Sequence, residues 1–430
     1  MSIYIYEDRQ IEGARYMENK IKKEPSLRFK GFNDDWEQRK LKSLGKTQSG
    51  IGFPDSEQGG KEGIPFYKIS DFNSSGNESE MFISNNYVSN QQVIDKKWKP
   101  IDQIPAVIFA KVGAAIMLNR KRLVRHSFLI DNNTMAFIFD SSWDVNFGKT
   151  TFETLNLPKY AQVGALPSYN SSDIEAIEVI IPDKREQEKI GLLFSNLDST
   201  IALHQRKLEK MKELKAACLQ GMFPSSNEKV PNIRFSNFEE DWEQRKLGDI
   251  ADFAKGSGYS KADLKPDGES RIVLYGRLYT KYETMISSID TFADEKPNSV
   301  ISKGYEVIVP ASGESPEDIA RASVIEPEGI IIGGDLNIIR PIKEISPYFL
   351  AINISNGEQK KELSKRAQGK SVVHLYNSDL KEVILKYPTN SEQSKIADFF
   401  TNIDQTIALH QNKLESLKGL KASFLQKMFV

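Results

Sequence analysis

The sequence predicts an α/β (α+β) protein with a pseudo-twofold internal repeat, in which two globular domains are separated by two long helices paired as an antiparallel coiled coil. The heptapeptide DWEQRKL occurs at 35–41 and again at 241–247. A second block, TIALHQRKLEKMKELKAACLQGMF at 200–223, returns at 406–429 as TIALHQNKLESLKGLKASFLQKMF. The 430 residues are also too many for one core of typical size.

Both blocks repeat at the same spacing. Subtracting 35 from 241, or 200 from 406, gives an offset of 206, which also aligns Arg28 with Arg234 and Phe29 with Phe235. The segments between the blocks, 42–181 and 248–387, have little similarity to each other. One frame is therefore written twice around two different inserts. The predicted division is an extension at 1–24, domains at 25–182 and 225–388, and long helices at 183–224 and 389–430.

The inserts have the pattern of mixed α/β modules rich in short strands. In the first, AVIFAKVGAAIMLNRKRLVRHSFLIDNNTMAFIF alternates β-favouring runs with turn residues. In the second, EVIVPASGESPEDIARASVIEPEGIIIGGDLNIIRP does the same. Both predict bent sheets with exposed loops.

The second repeated block has the pattern of a long helix. Asp183 with Glu186, and Thr389 with Glu392, have capping-box spacing at its two starts. Apolar residues then recur in steps of four and three over about four heptads. This duplicated stripe favours pairing of the two helices, although each could instead pack only on its own domain. The predicted helix-pairing or subunit-docking residues are Ile201, His204, Leu208, Met211, Ile407, His410, Leu414 and Leu417.

Composition excludes several classes of protein. The formal net charge is −1, so a surface that binds nucleic acid must be local. Cys218 is the single cysteine, which excludes a disulfide framework and fits a reducing compartment. The longest apolar stretch, 104–118, is interrupted by Lys111, and the first residues lack the pattern of a signal peptide. We expect a cytoplasmic protein.

No constellation of catalytic residues is evident. The chain has four histidines, of which His204 and His410 lie in the helical stripe, leaving little material for a metal cluster or a triad. GSGYSK at 256–261 misses the spacing of a phosphate-binding loop. PDKREQEK at 182–189 loses its aspartate in the second copy, so a charged helix start explains it better than a nuclease motif. We predict no catalytic and no metal-binding residues.

A basic segment in the first insert is the best candidate for contact with nucleic acid. It runs from 111 to 126 without an acidic residue and places an asparagine at a predicted hairpin tip. Arginine and asparagine can read guanine and adenine edges, while lysine contacts phosphate. A solvated hairpin turn is the alternative. The predicted DNA-binding residues are Lys111, Asn119, Arg120, Lys121, Arg122 and Arg125, with a weaker set of Lys255, Ser257, Tyr259, Lys261 and Arg321 in the second insert.

The frame resembles the specificity subunit of type I restriction–modification systems. The resemblance covers nearly the whole chain from Pro25: P-x-x-R-F, DWEQRKL, a variable insert and a helix ending LKAACLQGMF, then the same order again. GIGFPDSEQGGKEGIPFYKISDF, FAKVGAAIMLNRKR, SGESPEDIA and GGDLNIIRP are similar to segments of target-recognition domains in that family. Residues 1–24 are a departure from the pattern, since an extension is not expected before the frame.

The resemblance implies a division of labour. Each insert would read one half of a bipartite sequence in double-stranded DNA, and the long helices would hold the readers apart and dock two methyltransferase (modification) subunits. No cofactor is expected in this chain. S-adenosylmethionine, ATP and Mg²⁺ would belong to the methyltransferase and restriction subunits. Two other classes stay open, which are a self-contained DNA methyltransferase or nuclease with an unrecognised site and a two-headed adaptor that binds proteins.

Overall fold

The fold is taken from a computed structural model, which describes residues 3–5, 24–162, 166–225, 227–369 and 372–430. These residues form two compact units. The first comprises Met1–Gln205 and Asn412–Val430, and the second comprises Arg206–Gln411. Each long helix therefore begins in one unit and continues into the other.

The elements of the first unit are mainly short strands, followed by one long helix. Its strands are β1 (Ile3–Ile5), β2 (Leu27–Phe29), β3 (Glu37–Lys40), β4 (Gly45–Ser49), β5 (Ile64–Tyr67), β6 (Tyr87–Val88), β7 (Ala106–Ala110), β8 (Lys121–Val124), β9 (Leu129–Ile130), β10 (Thr134–Phe139) and β11 (Glu178–Ile181). Its helices are α1 (Asn90–Asp95), α2 (Val145–Thr154), α3 (Ser171–Glu175) and α4 (Lys184–Gly221), of which α4 extends beyond the unit.

The second unit follows the same plan. Its strands are β12 (Glu243–Lys246), β13 (Ala251–Lys255), β14 (Ser270–Val273), β15 (Met285–Ile286), β16 (Phe292–Ala293), β17 (Ile301–Lys303), β18 (Glu306–Pro310), β19 (Ser312–Gly313), β20 (Ser323–Ile325), β21 (Glu328–Ile332), β22 (Leu336–Pro341), β23 (Val373–His374) and β24 (Ile384–Tyr387). Its helices are α5 (Arg277–Thr280), α6 (Pro316–Ile319), α7 (Pro347–Ser355), α8 (Gly357–Arg366), α9 (Asn377–Lys381) and α10 (Asn390–Met428).

Each insert forms its own main sheet, and the two sheets have the same strand order despite the dissimilar sequences of the inserts. In the first unit the strand order is β4-β10-β7-β8, and in the second it is β13-β22-β18-β20 with β15 added at the edge. All residues of β7 and β10 are buried, which explains why AVIFA is apolar throughout and TMAFIF is apolar except for Thr134. The core therefore depends on a pattern of buried apolar positions that different residues can satisfy.

The repeated heptapeptide supplies a strand to a second, smaller sheet in each unit. Strand β3 pairs antiparallel with β11, placing Arg39 opposite Val179. Strand β12 pairs with β24 in the same register, placing Arg245 opposite Leu385. Both β11 and β24 directly precede a long helix. The frame is thus a physical unit that closes each insert and leads into the helix.

The N-terminal extension is described only at Ile3–Ile5, which forms β1 and pairs antiparallel with β2. The remainder of the predicted extension, apart from Glu24, lies outside the described residues. Strand β2 contains Arg28 and Phe29 of the repeated frame.

The two long helices run antiparallel to each other within the first unit. Lys421 of α10 pairs with Asp198 of α4 at 2.7 Å, and the rings of Phe194 and Phe429 lie 5.7 Å apart. Residue numbers along α4 rise from 194 to 198 while the numbers of their partners in α10 fall from 429 to 421, so the helices are antiparallel. The predicted helix pairing is therefore confirmed in this unit.

The second unit repeats these contacts at the offset of 206. Lys215 pairs with Asp404, and the rings of Phe223 and Phe400 lie 6.3 Å apart. Of the eight predicted pairing residues, Leu208, Leu414 and Leu417 are buried and the other five are half-buried. Each helix also packs on a domain core, so the alternative packing is present beside the pairing. Among the described helices, none is both long and apolar enough to cross a membrane.

Candidate nucleic-acid interface

The basic segment of the first insert connects β7 to β8, as the predicted hairpin required. The strands pair antiparallel, with Phe109 opposite Lys121. The connection contains a short 3-10 helix at Ala114–Leu118, which ends at Asn119 in the left-handed conformation with φ +50°. Asparagine tolerates this conformation better than most residues. The connection is therefore a defined loop built on the edge of the main sheet.

The side chains of Asn119 and Lys121 fix this loop to the end of α2. Asn119 Nδ2 donates to the Leu155 carbonyl at 3.1 Å, and its Oδ1 accepts the Leu157 N–H at 3.1 Å. Lys121 Nζ donates to the same Leu155 carbonyl at 2.6 Å. Burial lowers the pKa of Lys121 to about 8. These two residues hold the loop in place, and their predicted contact with DNA is untested.

Arg122 and Arg125 are also engaged within the unit. The Arg122 guanidinium donates to the Phe72 carbonyl at 3.3 Å, and burial lowers its pKa. Arg125 donates to the Glu80 carboxylate at 3.1 and 3.2 Å and to Asn146 Oδ1 at 2.7 Å. Both charges are thus partly offset or covered, which weakens but does not test their assignment to DNA.

Arg120 and Arg125 are the exposed members of the set, and Arg120 and Lys111 flank the tip of the loop. Arg120 is exposed and donates to Asn73 Oδ1, and Lys111 is half-buried at the end of β7. The exposed side chains of Met117 and Leu118 lie between them in the sequence. The loop therefore presents two cations with an apolar tip between them along the chain, a combination that suits phosphate and thymine methyl groups.

We expect the salt dependence of DNA binding to separate these roles. Arg120→Gln should reduce the slope of log K against log salt by about one, because one phosphate contact is lost. Lys121→Met should leave the slope unchanged, because its ammonium is directed at the Leu155 carbonyl. Fluorescence anisotropy of a labelled duplex between about 50 and 200 mM salt measures both slopes. A larger loss of slope in Lys121→Met than in Arg120→Gln would reverse the assignment.

Lys121 should also make stability depend on pH. Its pKa is lower in the folded chain, at about 8, than the ordinary 10.5, so the unfolded chain binds more protons between these values. Stability therefore rises with pH across that window. We expect urea unfolding of the wild type to gain about 1 kcal/mol relative to Lys121→Met between about pH 7 and 9.5, after allowance for partial exposure. Parallel pH profiles for the two proteins would contradict this.

Two members of the weaker set in the second insert are structural. The Ser257 hydroxyl accepts the Val300 N–H at 3.1 Å and donates to the Ile332 carbonyl at 3.3 Å. Tyr259 is buried, and its hydroxyl donates to the Asp294 carbonyl at 3.1 Å. These hydroxyls are used within the unit, because they join β13 and the following loop to neighbouring segments.

The three basic residues of that set divide in the same way. Arg321 donates to the Asp318 carboxylate at 2.9 Å and to the Leu278 carbonyl at 2.9 Å, so it links α6 to α5. Lys255, at the end of β13, and Lys261 are exposed. Contact of these five residues with DNA stays a prediction, and the two lysines have the better access.

Four of the exposed leucines on the long helices recur at the offset of 206 and were not predicted. Leu203 and Leu420 belong to the first unit and are 47% and 41% exposed. Leu409 and Leu214 belong to the second and are 66% and 43% exposed. Each member of one pair is related to a member of the other by the offset of 206. Their signal in the sequence was leucine repeated at positions outside the heptad stripe.

The leucines of each unit lie near the same level of the helix pair. Asp198 is opposite Lys421, Leu203 follows Asp198 by five residues, and Leu420 precedes Lys421 by one. In antiparallel helices this leaves an axial separation of four residues, about 6 Å. Each unit thus presents two exposed apolar side chains at similar levels of the helix pair. In the described ranges no group of three or more His, Cys, Asp or Glu residues is arranged to hold a metal ion.

Comparison with known proteins identifies the family. The family model described as "Type I restriction modification DNA specificity domain" matches residues 33–213 and again 239–419. The MjaVIII type I restriction enzyme specificity subunit of Methanocaldococcus jannaschii is 20% identical over 270 residues, which cover 60% of this chain and 63% of that protein. This chain therefore matches slightly less than two thirds of that relative's length.

A solved structure has the same fold. The crystal structure of a type I restriction–modification S subunit from M. genitalium matches with a TM-score of 0.59 at 16% identity, covering 95% of this chain and 99% of that one. The chain therefore belongs to the family of type I restriction–modification specificity subunits and carries two copies of the DNA specificity domain.

Proposed function

We propose that this chain is the non-catalytic DNA-recognition subunit of a type I restriction–modification complex. Each unit reads one half of a bipartite target in double-stranded DNA through the loops of its insert. The paired helices dock two methyltransferase subunits, through which restriction subunits join. S-adenosylmethionine, ATP and Mg²⁺ act in those partners, and the complex works in the cytoplasm.

The observation that carries this proposal is the contrast between frame and insert. The helix ion pairs, the aromatic contacts and the exposed leucines recur at an offset of 206, whereas the loops on the shared sheet differ in charge and sequence. Identical partners require identical docking surfaces, and this explains the duplicated frame. Two different half-sites require two different readers, and this explains the divergent inserts.

The test is reconstitution with the methyltransferase subunit. We expect the complex to methylate adenines within one bipartite sequence that contains an unread spacer, as mapped by sequencing modified genomic DNA. The chain alone should show no methyl transfer and no cleavage. Robust turnover by the isolated chain would favour an enzyme, and methylation by the complex without sequence preference would favour a protein-binding adaptor.

Replacing one insert provides the sharper arm of the same test. A complex in which residues 42–181 are exchanged for the corresponding insert of another family member should change one half of the target and retain the other. The main sheet of each unit is built from insert strands that have the same order in both units, which makes the insert a structural module. A change in both half-sites would refute independent reading.

A further inference from the structure

A short hairpin at the end of each insert makes the same backbone hydrogen bond in both units. It covers 161–174 in the first unit and 367–380 in the second, again at the offset of 206. Residues 163–165 and 370–371 of the hairpin lie outside the described ranges. The Gln162 N–H donates to the Ser168 carbonyl at 2.9 Å, and the Gln368 N–H donates to the His374 carbonyl at 3.0 Å. The same residue type thus makes the same bond in each copy.

The end of the hairpin is fixed by an identical side chain in both copies. The Asp173 carboxylate accepts the Asn170 N–H at 2.7 Å, and the Asp379 carboxylate accepts the Tyr376 N–H at 2.9 Å. These bonds join the hairpin to the short helices α3 and α9. The backbone N–H groups at positions 170 and 376 are therefore held by an equivalent aspartate in both copies.

Side chains alternate between the interior and the surface along the return arm of the second hairpin, and the first follows this order from Tyr169, whereas Pro167 and Ser168 are both half-buried. The inward positions Tyr169, Val373 and Leu375 are buried, and they exchange one apolar or aromatic group for another. Two of the three outward positions change in chemistry instead, from a hydroxyl and an amide to an imidazole and a phenol, whereas the first is aliphatic in both copies. The three outward positions are Leu166, Ser168 and Asn170 in the first unit and Val372, His374 and Tyr376 in the second, of which Ser168 is half-buried and the others are exposed.

The hairpin lies beside the loop that carries the predicted DNA-binding residues. In the first unit the Tyr169 N–H donates to the Lys111 carbonyl at 3.1 Å. In the second the Leu375 N–H donates to the Ala311 carbonyl at 3.0 Å, which is the equivalent bond. The outward positions therefore flank the connection from β7 to β8 and the corresponding connection from β18 to β20.

The outward pair of the second unit is held in a defined geometry. The rings of His374 and Tyr376 are stacked, with centroids 6.2 Å apart and an interplanar angle of 17°. Ser312 pairs with His374 in a short antiparallel ladder, and the Ser312 carbonyl accepts the Tyr279 hydroxyl at 2.9 Å. Exposed polar rings fixed in this way reduce the entropy that binding would otherwise lose.

We infer that positions 168 and 170, with their counterparts 374 and 376, are specificity-determining residues that contact base edges of double-stranded DNA, one pair for each half-site. This inference rests on the proposed function and adds to it a matched pair of reading surfaces. Ser168 and Asn170 supply a hydroxyl and an amide, and asparagine pairs well with adenine. His374 and Tyr376 supply an imidazole and a phenol, so the two copies select different bases from equivalent positions.

The test exchanges the chemistry of the two hairpins in the full chain assembled with its methyltransferase subunits. His374→Ser with Tyr376→Asn should change the preferred base at one or two positions of the second half-site. Methylation of the original site should fall about tenfold or more, and the first half-site should stay unchanged. The reciprocal Ser168→His with Asn170→Tyr should alter the first half-site alone. Sequencing of methylated genomic DNA reports both halves together.

Two further variants distinguish a change in specificity from a loss of folding. Tyr376→Phe keeps the ring and removes the hydroxyl, and it should relax one base position while the complex still assembles. Tyr305→Asn is the control, because Tyr305 is an exposed aromatic residue of the same unit at φ +59°, where asparagine is tolerated. It should leave the target unchanged.

The outcomes distinguish the inference from the function on which it rests. An unchanged motif in both the hairpin exchange and Tyr376→Phe overturns the inference. An equal fall in methylation at every sequence also overturns it, because that result assigns the hairpin to phosphate. If the wild-type complex methylates without sequence preference, the proposed function itself fails, whatever the variants do.

Discussion

Replacing Arg28 by alanine is expected to destabilise the first unit by about 3–5 kcal/mol, because it leaves a buried carboxylate without its main partner. The Arg28 guanidinium contacts Glu186 at 2.7 and 2.8 Å, and the two side chains are 4% and 0% exposed. Arg28 also donates to the Asp34 carbonyl at 2.6 Å. After truncation, the Glu186 carboxylate still accepts a hydrogen bond from the Trp36 indole at 3.2 Å, and Glu186 still lies in the first turn of α4.

Hydrogen exchange resolved by peptide measures this effect unit by unit, which a single unfolding curve of a protein with two units does not. Exchange should accelerate across the first unit and stay unchanged in the strands of the second. Arg28→Met with Glu186→Met should recover part of the loss, since it removes both charges. The repeat supplies a matched variant, Arg234→Ala, which acts on Glu392 in the second unit. A loss below about 1 kcal/mol for Arg28→Ala would show that the pair is not critical.

Charging the exposed leucines of one unit is expected to remove one of the two proposed methyltransferase subunits. Leu203→Asp with Leu420→Asp places two carboxylates, about 6 Å apart along the helix pair, in the proposed docking surface. A buried unpaired charge in an interface costs several kcal/mol, enough to release a subunit at micromolar concentration. Native mass spectrometry should show one methyltransferase subunit per chain instead of two.

The controls for this variant come from the repeat itself. Leu214→Asp with Leu409→Asp should give the same stoichiometry through the second unit, and all four substitutions together should abolish assembly. Asn412→Asp adds a negative charge at an exposed helix position. The equivalent position in the first copy is Arg206, so this position is not part of the duplicated surface, and two subunits should remain bound. If the fourfold variant still carries two subunits, docking occurs elsewhere.

The sequence predicted the helix pairing well because its signal is local and periodic. The stripe that includes Leu208 and Leu414 repeats every seven residues, and such spacing has one geometric consequence. The capping box predicted at Asp183 and Glu186 is confirmed only in part. Asp183 does accept the Glu186 N–H at 2.9 Å, but the Glu186 carboxylate bonds Arg28 instead of the helix start. That partner is 158 residues away, and no local pattern could reveal it.

The candidate DNA-binding residues were harder to predict for a related reason. A run of basic residues shows charge but not direction, so Lys121 and Arg120 have equal weight in the sequence. In the fold, Lys121 points to the Leu155 carbonyl and Arg120 to the surface. The outward positions of the hairpin, such as His374, carried no signal of charge at all. These positions stand out only when the residues of the two copies are compared, and that comparison is meaningful only once the positions are known to be structurally equivalent.

The first unit is built from two separate parts of the chain, and this has a consequence for folding during synthesis on the ribosome. The first unit is completed by Asn412–Val430, whereas the second needs only Arg206–Gln411. Domains usually fold in the order in which they are translated. Here we expect the reverse order, because the core around Trp36 and Phe147 includes Phe429, whose ring lies 6.3 and 5.5 Å from theirs. Removal of residues 412–430 would therefore disable the first unit, although they are far from the rest of it in the sequence, and would leave the second unit nearly intact.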